Sequence, residues 1–309
     1  MAENTQPVPS PNRDVILSER PTLRNPIMIV AFEGWNDAAE GATEALEYLQ
    51  ESWDATRFAE IDPEEFYDFT EVRPMVRLVN RNRRQIDWPA NEFSYYRDPE
   101  RDRDYILLLG IEPSLRWKRF TRAILDVARA FGVSSLITLG ALLSDVPHGR
   151  QARVNVTATD ERFIARLGRQ AARPSRYEGP TGITGVLQDA FLQAGIRGAS
   201  LWGHAPHYLS ASPNPMVSLG ILRRLGDLLE LDLDLVELER EADTFVAQVN
   251  EAVAQDPEAT SYIHMLEAQS EDEQEDEPEE DSPRRPRTTG KGLIQDVEEF
   301  LRRRRANDE

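Results

Sequence analysis

The sequence predicts an α/β protein, a mostly parallel sheet flanked by helices, on three observations. Short unbroken apolar runs recur at Ile27 to Val30, Asp104 to Gly110 and Val133 to Gly140, as in strands covered on both faces. The stretches between them carry apolar residues at helical spacing. Strand and helix alternate along the chain, the order that right-handed crossovers turn into a parallel sheet.

The elements follow in order. Ile27 to Asp37, IMIVAFEGWND, reads as a buried strand ending in a small-residue turn, with Gly34 free to turn and Asn36 placed to cap a helix from about Asp37 to Glu51. Ala38, Ala42, Ala45, Leu46 and Leu49 share one face of that helix. Ala55 to Ile61 is the next strand, and Met75 to Val79 with Gln85 to Trp88 flank a polar break that predicts a hairpin. After the Asp104 strand, Ser114 caps a helix to about Phe131. The Val133 strand leads to a short strand near Ala152 to Val156, then to helices over Asp160 to Gln170 and Thr181 to Ala194. Ala199 to Gly203 is a strand with His204 to Tyr208 beyond its end, and Pro213 and Pro215 open a helix to about Leu229. Leu233 to Gln269 is helical, broken near Asp256 and Pro257.

Composition narrows the class. A chain of 309 residues buries a large core, and the absence of cysteine excludes disulfides, thiolate metal sites and a cysteine nucleophile. No segment reaches the apolar length of a membrane span, and Met1 to Arg20 lacks a signal peptide's apolar region, so a cytoplasmic location is expected. The formal charge of -19 argues against attraction to nucleic acid or anionic lipid. Ser270 to Ser282 is a dense acidic run with little to bury, followed by Arg284, Arg285 and Arg287. Leu293, Ile294, Val297, Phe300 and Leu301 then form an apolar stripe at helical spacing ahead of Arg302 to Arg305, the pattern of a docking helix on an acidic tether. The organisation read from this is a flexible segment 1–25, an α/β core 26–232, a helical appendage 233–269, a disordered linker 270–291 and a short amphipathic helix 292–309.

Four separated segments carry a resemblance: AFEGWNDAAEGA from Ala31, LGALLSDVPHGR from Leu139, GPTGITGVLQDAFLQAGI from Gly179 and SLWGHAPHYLSASPNP from Ser200. In order and spacing they resemble the PAC2 family, named for a proteasome assembly chaperone, and are nearest to its actinobacterial members. The resemblance covers about Pro26 to Glu267. It implies a phosphorylase/hydrolase-like α/β fold and homo-oligomers, trimers among them, and it points to a proteasome or another protein as partner. Some bacterial relatives are linked to ATP-grasp enzymes, but Lys118 and Lys291 are the only lysines here and neither adjoins a glycine-rich loop. Gly179, Gly182 and Gly185 do not spell a dinucleotide fingerprint, so no cofactor is assigned. The chain ends Ala306, Asn307, Asp308, Glu309, without the hydrophobic residue and tyrosine by which many proteasome activators dock.

In an open α/β sheet the binding crevice lies at the carboxyl ends of the strands. Glu33, Gly34, Asn36, Asp37, His204 and Asn214 make up the candidate pocket there. His148 with Asp145, or His204 with His207, are the acid/base candidates, against a structural role in which they tie down the turns around Pro147 and Pro206. No metal site is assigned, and no nucleophile elbow surrounds Ser210 or Ser212. Trp35, Trp202 and Tyr208 could stack on a base or sugar, or seal a core edge or oligomer interface; Trp35 is read as interface. These features fit a noncatalytic interaction protein, an enzyme or sensor for a nucleoside-like or phosphorylated metabolite, or a regulator whose ligand alters tail exposure.

Overall fold

The computed structural model describes residues 10–80, 83–167, 177–210 and 213–275. Its strands are β1 (Val15–Leu17), β2 (Ile27–Glu33), β3 (Thr56–Ile61), β4 (Met75–Asn80), β5 (Arg83–Asp87), β6 (Glu92–Arg97), β7 (Asp104–Ile111), β8 (Ser135–Ser144), β9 (Val154–Ala158) and β10 (Gly198–Pro206). The helices are α1 (Gly41–Ser52), α2 (Trp117–Ala130), α3 (Glu161–Leu167), α4 (Ile183–Gln193), α5 (Pro215–Leu229), α6 (Val236–Val253) and α7 (Pro257–Glu275). The chain divides into two compact units, one of residues 1–35, 46–138 and 181–198, the other of 36–45, 139–180 and 199–309.

In the first unit the strands follow the order β1-β3-β6-β7-β2-β8. Strand β2 lies between two parallel neighbours, with Ile27 opposite Tyr105 of β7 and Ser135 of β8. Its residues Ile27 to Phe32 are buried, as an uninterrupted apolar run requires. Met28, Val30 and Phe32 share a core with Phe120, Ile124 and Val127 of α2 and Ile183, Leu187 and Phe191 of α4. Burying each of these larger side chains contributes about 1.5 to 3 kcal/mol.

The α/β class holds, with the parallel pairing concentrated on β7, β2 and β8. The remaining pairs of this unit, β1 with β3, β3 with β6 and β6 with β7, are antiparallel. Strand β6, EFSYYR, is not read from sequence because its buried residues, Phe93 and Ser94, are adjacent rather than alternating. Its turn into β7 is legible afterwards: Asp98 accepts the backbone N–H of Glu100 at 2.9 Å and of Arg101 at 3.2 Å. Strand β1 falls within the N-terminal segment for which the sequence suggested no element. The predicted hairpin is present as β4 and β5, which form a separate two-stranded sheet. Helix α2 starts at Trp117 without a side-chain cap, not from Ser114, because Arg116 in a left-handed conformation (φ 55°) turns the chain into it.

In the second unit the order is β8-β10-β9, with β9 antiparallel to β10. Both β8 and β10 run past the glycines at which the sequence reading ends them, reaching Ser144 and Pro206. Those glycines give clearance instead of turning the chain. A Cβ at Gly140 would lie 2.9 Å from the Trp202 ring, and one at Gly203 2.6 Å from Val217 Cγ1. His204 therefore lies inside β10, not beyond its end. Helices α6 and α7 pack Phe245, Val249, Ile263 and Leu266 with Tyr208 and Leu209. Helix α7 continues to Glu275, well into the acidic run expected to be a linker. The rest of that run and the stripe from Leu293 to Leu301 lie outside the described residues. No described helix is long and apolar enough to cross a membrane.

One charge is fixed at the start of β7. Asp104 is fully buried and accepts from Arg24 Nη2 at 2.7 Å and from the Arg24 backbone N–H at 2.6 Å. Arg24→Ala removes the guanidinium and leaves the buried carboxylate with the backbone N–H of residue 24, and it should lower the midpoint of a urea melt.

Candidate functional site

The turn after β2 is built around a buried carboxylate. Asp37 accepts the N–H of Ala42 at 2.6 Å and of Thr43 at 3.3 Å, and the Thr43 hydroxyl donates to its other oxygen. Asp37, not Asn36, therefore caps α1, and the helix begins only at Gly41. Between them Ala38–Glu40 form a 3-10 turn in which Ala39 and Glu40 hold positive φ, 52° and 55°. Two non-glycine residues in the left-handed region cost about 1 to 3 kcal/mol each, a cost the Asp37 bonds and the neighbouring chain must offset. The Asn36 carbonyl accepts from Ala141 N–H at 2.8 Å, and the Ala39 carbonyl from Asn214 N–H at 2.9 Å. Asn214 in turn caps α5, its side chain accepting from Met216 N–H at 3.1 Å.

The histidines pair differently from the sequence expectation. Asp145 lies 3.2 Å from Nδ1 of His207, not beside His148, and Nε2 of His207 lies 3.4 Å from the Tyr262 hydroxyl. His148 is buried, with Nδ1 2.9 Å from the Tyr208 hydroxyl and Nε2 3.0 Å from Asn250 Oδ1. The amide oxygen can only accept, so Nε2 carries the proton and Nδ1 accepts from Tyr208. The Tyr208 oxygen also accepts the His148 backbone N–H at 2.8 Å. Both ring nitrogens are thus consumed, and burial holds the imidazole below its usual pKa, so His148 is a neutral structural bridge from β10's end to α6. His204 bonds Ser144 through Nδ1 at 2.7 Å rather than pairing with His207, and its Nε2 is buried with no hydrogen bond.

Of the remaining candidates, Glu33 and Gly34 belong to the first unit. There Gly34 (φ 120°) passes Glu112, whose N–H donates to Glu33 O at 2.9 Å and whose Oε1 accepts from Ile183 N–H at 2.8 Å. Asn36, Asp37, Asn214 and His204 belong to the second. Trp35 is 63% exposed, Trp202 lies against Gly140 and Tyr208 is buried. Sequence reasoning misses Glu112, Asn250 and Tyr262, since no local spacing links them to the turns they join. In chemical terms Asp145 and Tyr262 stand on either side of the His207 ring, whose Nδ1 makes no hydrogen bond, while Asp37, Asn214 and His148 are engaged in caps and bridges.

The PAC2 family model matches residues 31–253. A PAC2 family protein of Streptomyces avermitilis is 40% identical, with a TM-score of 0.69 over 77% of this chain and 99% of that one. A proteasome-assembly chaperone homologue of Mycobacterium tuberculosis is 39% identical, with the same TM-score and coverages. An archaeal proteasome activator of Pyrococcus furiosus shares the fold at 22% identity, with a TM-score of 0.63 over 77% of this chain and 97% of that one. No curated protein matches the chain.

Two buried groups of the second unit titrate in opposite senses. Burial pushes the Asp37 carboxyl from 3.8 up to about 6, against the bonds from Thr43 and Ala42. Its contribution to stability is present below pH 4 and is lost as pH rises through 6. Burial, aided by the charge of Arg153, lowers His204 from 6.5 to about 4, so its contribution is present above pH 6.5 and is lost as pH falls towards 4. Each amounts to about 3 kcal/mol, and the two offset one another over the same window. Relative to the parent chain, Asp37→Asn should lose about 3 kcal/mol more on acidification from pH 6.5 to 4, and His204→Asn about 3 kcal/mol less, in urea melts at both pH values.

Proposed function

The chain belongs to the PAC2 family, and from that premise we propose that it is a noncatalytic, homo-oligomeric protein-interaction factor of the cytoplasm, a chaperone-like partner of proteasome subunits. The observation that carries this reading is the 39% identity, along nearly the whole of the relative's length, to a protein described as a proteasome-assembly chaperone homologue. The state of the polar side chains supports it. Asp37 and Asn214 cap helices and His148 bridges Tyr208 and Asn250, so three of the candidate site residues have structural work that accounts for their burial. The exposed indole of Trp35 is a large apolar side chain of the kind that protein interfaces cover.

A second reading, an enzyme or sensor for a small metabolite, draws support from the Asp145, His207 and Tyr262 cluster, in which a carboxylate and a hydroxyl stand on either side of an imidazole. If that reading is right, His207→Ala abolishes turnover or ligand response while the melting temperature is kept.

The experiment is native mass spectrometry of the full-length chain mixed with purified proteasome core particles and with free α and β subunits. The expected result is an oligomer of the chain retaining proteasome subunits at micromolar concentration. An oligomer that retains none, and instead carries a metabolite that it converts, overturns the reading.

A further inference from the structure

The hairpin of β4 and β5 carries apolar side chains that the described residues leave largely exposed, with only the Trp88 ring beside it meeting another ring, that of Phe69, edge-on at 5.0 Å. Val76 pairs with Ile86 and Leu78 with Arg84, so Val76, Leu78, Ile86 and Trp88 point to one side by strand alternation. They are 56%, 67%, 55% and 51% exposed. The opposite side is mixed: exposed Met75 stands across from Asp87, with Arg77 Nε 2.9 Å from Asp87 Oδ2 and Gln85 Nε2 bonded to Asp87 Oδ1 at 2.9 Å. A two-stranded hairpin is marginal in water by itself, and one that exposes this much apolar surface is the pattern of a surface that another segment covers. The hairpin is also basic within a chain of formal charge -19. Arg83 and Arg84 flank the apolar face, and neither makes an ion pair among the described residues.

We propose that this face is covered by the C-terminal segment of a second copy of the chain, its acidic run lying against the arginines and its apolar stripe against Val76, Leu78, Ile86 and Trp88. The chemistry matches on both counts. Past the end of α7, five carboxylates stand between Asp276 and Asp281, and Leu293, Ile294, Val297, Phe300 and Leu301 follow at helical spacing. Residues 276–309 reach on the order of 100 Å when extended, enough to cross to a neighbouring subunit. The inference rests on the homo-oligomer proposed above and gives it a mechanism. A ring of three needs a heterologous contact between two different surfaces of each subunit, and hairpin and tail are two such surfaces on one chain.

The test uses full-length chains in light and heavy isotope forms, mixed, with Trp88→p-benzoylphenylalanine as a photo-crosslinker. Light-to-heavy crosslinks from position 88 to residues 292–305 are expected, decreasing with added salt and about tenfold with Phe300→Asp. In the unlabelled chain, Leu78→Glu should raise hydrogen exchange over residues 293–301 with no loss of the global melt. Crosslinks confined to one isotope label, crosslinks to another surface, or exchange unmoved by Leu78→Glu would each overturn the proposal. An oligomer whose mass survives Phe300→Asp sinks this contact and leaves the homo-oligomer standing, whereas a monomer at all concentrations sinks both.

Discussion

The second unit depends on one buried carboxylate at the end of β2. Asp37 accepts from the first turn of α1 and from the Thr43 hydroxyl, and it sits in a parallel bridge to Ala141 of β8. The backbone that it steadies, left-handed at Ala39 and Glu40, offers the Ala39 carbonyl to Asn214, which begins α5. A carboxylate that is 7% exposed and holds three donors is costly to place. It is retained because one group with two oxygens satisfies several helix-terminal donors at once, where neutral side chains would each satisfy fewer.

The same economy explains the histidines. Imidazole is the side chain most readily cast as a proton carrier, but a carrier needs a free nitrogen facing solvent or ligand. His148 has neither: Tyr208 and Asn250 hold both nitrogens, and burial keeps the ring neutral. His207 differs, with an acidic neighbour on one side and a tyrosine hydroxyl on the other.

What was legible in the sequence followed from local physics. The continuous apolar strands β2, β7 and β8, the hairpin, the Pro215 start of α5 and the break before Pro257 are all set by periodicity or by backbone restriction, which a single chain displays. What escaped was set by distant partners. Gly140 and Gly203 look like strand ends until Trp202 and Val217 are seen to need the space. Asn36 looks like the cap until the strained turn moves the helix start by several residues and hands the role to Asp37. Strand β6 was hidden because its side chains are sorted by β3 and β7 and not by alternation. Of the candidate site, the residue types were visible, but the pairing of Asp145 with His207 depends on a contact across about sixty positions.

The parallel placement of β2 carries a consequence for synthesis on the ribosome. Ile27 has its two strand partners at Tyr105 and Ser135, both made long after it. Until they emerge, the run IMIVAF is a β-prone apolar segment with no edge to join, and parallel pairing of this kind forms slowly because the intervening chain must first be ordered. The growing polypeptide therefore passes through an interval in which its best-buried strand is its stickiest exposed one. Nascent-chain chaperones and a pause in translation before β8 would both act on that interval.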